Sequence, residues 1–170
     1  MTRLLMWVCL CLCALVQAIL PPWLAMGQAK APLLLAGVVY YALTSNTLRV
    51  SEAAILGGLL QDSLGPIPLG FSVMAFAGIA LLIHHFQDRI FADSLFTHIL
   101  AGFVAPALMS FALYVLLVSG GHRTGVPFSF VMTMTLGLSL LGLVTFPMVF
   151  RLIRGAERAL GVRSFQGGGA

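Results

Sequence analysis

Residues 51–70 read SEAAILGGLLQDSLGPIPLG, an apolar helical stretch that carries one acid beyond its first turn, Asp62, and then breaks at Gly65-Pro66-Ile67-Pro68. At about 1.5 Å per residue, counting from Ser51, Asp62 lies roughly 16 Å along, near the middle of a hydrocarbon layer about 30 Å thick. A carboxylate at that depth is costly and marks a functional site by default. Ala54, Gly58 and Asp62 recur at i, i+4 and i+8 and share one helical face. Small residues on that face let a neighbouring backbone approach, and the acid arrives where the approach is closest. Two prolines and Gly70 follow, and non-helical backbone at membrane depth survives only against protein or a wet cavity.

The surrounding chain makes a membrane setting unavoidable. Of 170 residues, 60% are hydrophobic and 8% are charged, against about 25% charged in soluble domains. The mean hydropathy is +1.05. One polytopic domain over residues 1–150 is expected, followed by a basic amphipathic tail over 151–170. The net charge of +4 comes from loop and tail residues rather than from a basic surface studded with aromatics. Positive-inside topology therefore explains it, and nucleic acid is excluded as a partner.

Hydropathy and breakers divide the chain into about six transmembrane helices, an all-α membrane fold. The first run, 4–20, is followed by Pro21 and Pro22. Val16 and Ala18 are spaced like a signal-peptidase site, but Ile19-Leu20-Pro21-Pro22 directly after it argues for an uncleaved span. Cys9, Cys11 and Cys13 alternate along this run, point in different directions and cannot share a metal; they read as small buried hydrophobes. The second run, 31–48, holds Tyr40 and Tyr41 and ends in the polar patch Thr44-Ser45-Asn46-Thr47.

Ser51 is the expected N-cap of the third helix, with Glu52 complementing its dipole, so that this helix is short, about 20 Å to Leu64. The fourth run, 68–86, starts with proline in a helix-compatible first turn. His84 and Asp88, with Asp93 and His98, lack tight metal-ligand spacing, so no metal and no cofactor is expected. The fifth run, 95–118, and the sixth, 128–150, are rich in small residues and hold Pro106 and Pro147. In the tail, Arg151, Arg154 and Arg158 share one face opposite Leu152, Ala156, Ala159 and Leu160, a pattern suited to lying along cytoplasmic headgroups or docking a partner there.

Six spans with both ends inside place Arg3, Arg49, Arg89, Arg151, Arg154, Arg158 and Arg163 on the cytoplasmic side, leaving Lys30 and Arg123 outside. The sequence has no nucleophile elbow, zinc-protease helix, P-loop or dinucleotide fingerprint, so no enzyme is expected. Asp62 then admits two uses. It fixes the bundle through a neighbour such as Thr44, Tyr41 or Ser110 and supports partner binding, or it lines the site of a small-molecule carrier. No second interrupted segment marks the inverted repeat that a carrier often shows.

The run Gly57-Gly58-Leu59-Leu60-Gln61-Asp62-Ser63-Leu64-Gly65-Pro66-Ile67-Pro68-Leu69-Gly70 resembles the signature of the rod shape-determining MreD family, as do the chain length, the six apolar runs and the short basic tail. The resemblance carries over Gly58, Gln61, Asp62, Gly65, Pro68 and Gly70 as characteristic positions; the helical face and the break add Ala54 and Pro66 to the candidate site. It implies a multi-pass protein of the bacterial inner membrane in the elongation machinery, without catalysis. Implied partners are a bitopic MreC-like protein and, indirectly, MreB filaments and the RodA/penicillin-binding protein synthase of peptidoglycan. The fold it implies is similar to that of the substrate-binding subunits of energy-coupling-factor vitamin transporters, which sustains the carrier alternative.

Overall fold

A computed structural model of the chain describes residues 2–21, 30–65, 69–86, 95–119 and 128–159. Within that set there are six helices and no strand: α1 Thr2–Ile19, α2 Leu33–Thr44, α3 Thr47–Leu64, α4 Phe71–His85, α5 Leu95–Ser119 and α6 Phe128–Ala159. Among the described residues, α5 and α6 contain stretches long and apolar enough to cross a membrane, while α1, α2 and α4 give shorter apolar helices.

The bundle is built around α2. This 12-residue helix, LLLAGVVYYALT, is apolar all round, and every residue from Leu33 to Leu43 is buried. A helix without a polar face is covered on all sides by protein or by lipid. It gets that cover by packing against each of the other five helices. The remaining strong pairings are α3 with α4 and α5 with α6, two antiparallel hairpins joined through the central helix.

Glycine lets these hairpins close. A Cβ on Gly58 would run into the backbone of Val73 in α4, and one on Gly57 would meet Val38 of α2. At the α5–α6 crossing, a Cβ on Gly102 would lie 2.5 Å from the carbonyl oxygen of Gly142, and one on Gly142 would clash with that of Gly102. Both contacts are small residues bringing two backbones together, the packing expected when lipid offers no hydrophobic drive between helices.

Helix boundaries differ from the sequence reading, most at the start of α3 and the end of α6. The third helix is not short: it opens at Thr47, after Asn46 in extended conformation, and runs for 18 residues, about 27 Å. Ser51 is not its cap but an interior residue whose hydroxyl bonds the carbonyl of Leu48 at 2.9 Å. The basic segment opens as a continuation of α6, which runs past Phe150 to Ala159 as one 32-residue helix. Of the cysteines, Cys9 is buried and Cys13 half-buried, whereas Cys11 turns outward. Gly65 ends α3 in extended conformation, so the expected break is present; Pro66 and Pro68 lie outside the described residues.

Candidate functional site: a carboxylate between two helices

Asp62 falls in the last turn of α3, which ends at Leu64. Its partners are not the hydroxyls of Thr44, Tyr41 or Ser110. Thr44 bonds its own helix at the Tyr40 carbonyl, and Ser110 bonds that of Pro106. The Asp62 side chain, 3% exposed, instead reaches the start of α4. The backbone N–H of Gly70 donates to its Oδ2 at 2.6 Å, and that of Ser72 to its Oδ1 at 3.1 Å.

The local sequence explains the arrangement. Gly70 occupies the N-cap position of α4 with φ 103°, a left-handed backbone that glycine adopts at little cost. Glycine has no side chain with which to cap the free N–H groups that follow. The carboxylate from eight residues upstream supplies the missing acceptor, and the positive end of the α4 dipole favours its charge. Gly58 lies one turn before Asp62 and Ala54 two turns before, and both are buried on the same face. The backbone that approaches this face is the chain's own α4.

Gln61 extends the site to the first two helices. The amide of Gln17 in α1 donates from Nε2 to Gln61 Oε1 at 2.8 Å and accepts the Leu34 N–H on Oε1 at 3.0 Å. One amide thus joins α1, α2 and α3 and satisfies a donor in the first turn of α2 that has no helical acceptor. Gln17 was not singled out from the sequence, although it is the only amide in an otherwise apolar run of 17 residues (4–20).

The opposite end of α2 carries a second buried carboxylate that the sequence reading missed. Tyr40 Oη donates to Glu157 Oε2 at 2.6 Å, and Glu157 is 6% exposed. Arg154 lies beside this pair. The inward face of the α6 end is therefore Ile153 and Glu157, whereas Leu152, expected on the apolar face, is exposed. Arg151 and Arg158 are exposed and Arg154 is half-buried.

His84 does not act as a ligand in any cluster of metal-binding type; none occurs among the described residues. Its Nδ1 lies 3.2 Å from the Ala42 carbonyl and its Nε2 3.0 Å from Thr47 Oγ1. With Nδ1 protonated, the ring donates to the carbonyl and accepts from the hydroxyl, tying the end of α4 to the α2–α3 turn. Asp88 and Asp93 lie outside the described residues.

The family model for rod shape-determining protein MreD matches residues 1–155, nearly the whole described chain. The chain belongs to the MreD family. As an MreD family member it is a membrane protein of the cell-shape system and not an enzyme. Membership does not favour the carrier alternative. Comparison with curated proteins and with solved structures returns no match.

Proposed function

We propose that this MreD family member is a six-span scaffold of the bacterial inner membrane that holds a bitopic MreC-like partner during wall elongation. In this reading both termini are cytoplasmic, and the chain acts on peptidoglycan synthesis only through its partners, MreB filaments on one side and the RodA/penicillin-binding protein synthase on the other. The observation that carries the reading is the use of Asp62. Its two carboxylate oxygens are both engaged by the backbone of α4, so the acid fixes the shape of a hairpin. A carrier would keep such a group for its substrate.

The role of Ala54, Gly58, Gln61, Asp62, Gly65, Pro66, Pro68 and Gly70 in partner binding is then indirect. Gly58, Asp62 and Gly70 hold α3 and α4 in one arrangement and Gln61 ties α3 to α1, and the exposed apolar side chains of that hairpin, Ile55, Leu59 and Met74, form the edge offered to a transmembrane segment. The experiment is co-purification of the full chain with the bitopic partner. Asp62→Ala is expected to lower partner recovery and to round the cells. Unaltered recovery and unaltered rod shape would remove the assignment, and a stoichiometric small molecule carried through purification would reinstate the carrier.

A further inference from the structure

The cytoplasmic end of α6 combines three features that the scaffold reading does not use. The outward face carries an apolar stripe, Val144, Met148 and Leu152, exposed by 69%, 58% and 61%, and the stripe stops where Arg151 and Arg158 begin. The acid of this segment, Glu157, is turned inward onto Tyr40. Among the described residues, neither Arg151 nor Arg158 has an acidic partner.

We infer that this end of α6 is a binding surface for anionic phospholipid headgroups of the inner leaflet, presented at a fixed height by the Tyr40–Glu157 bond. The depth follows from the stripe: exposed Leu152 belongs at the hydrocarbon boundary, which sets the Arg151 guanidinium at phosphate level. Arg158 lies about 10 Å beyond Arg151 along the helix axis. Each headgroup layer is about 5–8 Å thick, so the long side chain of Arg158 reaches back into it. Guanidinium groups bind phosphate oxygens in bidentate fashion. A soluble acidic partner would match the arginines, but the stripe holds them at the bilayer surface, where headgroup phosphate is the anion already within reach. Burying Glu157 matters because a carboxylate on the outer face would repel the same phosphates.

The inference rests on reading α6 as a span that ends at the inner leaflet. Its test uses the full chain alone, so failure to recover the bitopic partner leaves it standing. The protein is extracted from membranes of mixed phosphatidylcholine and phosphatidylglycerol, delipidated stepwise, and the lipids still bound are counted by native mass spectrometry. Wild type should hold phosphatidylglycerol in preference to phosphatidylcholine. Arg151→Gln and Arg158→Gln should each weaken that preference about fivefold, the share of one basic residue at an anionic surface. Tyr40→Phe should weaken it with no change of charge, while Glu157→Gln, which keeps an acceptor for the tyrosine, should not. A wild type without preference, or arginine variants that retain it, overturns the site. A folded Tyr40→Phe protein with full preference overturns the fixed presentation. A photoreactive group at position 158 that captures protein instead of lipid assigns the surface to a protein partner and overturns the lipid.

Discussion

The carboxylate of Asp62 accepts the Gly70 N–H at 2.6 Å, so the acid that ends α3 also starts α4. Removing it leaves two N–H donors without an acceptor, that of Ser72 buried and that of Gly70 partly so. Charge-assisted bonds of this kind contribute about 1.5–3 kcal/mol each, and the two share one acceptor group, so Asp62→Ala should cost about 2–4 kcal/mol. Asp62→Asn keeps one acceptor oxygen and should lose roughly half as much. Thermal unfolding of the detergent-solubilised chain checks the order wild type, Asn, Ala; equal midpoints would deny the cap.

Gly58 is predicted to tolerate no side chain. Its Cβ would strike the Val73 backbone rather than the end of a flexible side chain, so Gly58→Ala should force α3 from α4 and lower stability by about 1–3 kcal/mol, the usual cost of overpacking. Gly78 of α4, with open space around its Cβ position, serves as the control. Gly78→Ala should be neutral or slightly stabilising in the same melt, since alanine favours the helix.

The α5–α6 crossing gives a paired test. Gly102→Ala and Gly142→Ala each place a methyl group against the opposing carbonyl, and each should loosen this hairpin. Cysteines at Phe111 and Leu136, both exposed residues of the hairpin, would report its opening through the distance between attached spin labels. Gly155→Ala, which meets nothing within 4 Å, should leave that distance unchanged.

Gln17 and Gln61 should be energetically coupled. Gln61→Leu removes one bond and leaves the Gln17 amide group short of an acceptor, while Gln17→Leu also strands the Leu34 N–H. The second change should therefore be the more destabilising. A double-mutant cycle should return a coupling of about 0.5–1.5 kcal/mol, the net range for a neutral hydrogen bond. A coupling of zero would show that the amides do not stabilise one another.

The sequence by itself determined the class of the molecule. Its hydropathy and scarcity of charge required a membrane-embedded helical chain, the Gly-Pro-x-Pro run required a break after α3, and the spacing of Ala54, Gly58 and Asp62 placed them together. The LLQDSLGPIPLG signature also gave the family. These properties are local: composition, breakers and helical periodicity act within a few turns.

Tertiary structure alone decided what the acids do. No spacing rule tells that Asp62 turns to an N-terminus eight residues ahead, because the glycine cap that needs it becomes visible only once α4 lies antiparallel to α3. Tyr40 and Glu157 are 117 positions apart and meet only because the bundle packs α6 against α2. The start of α3 was misplaced as well. Ser51 and Asn46 are equally good caps by residue type, and it is Asn46 that holds the extended conformation from which α3 starts.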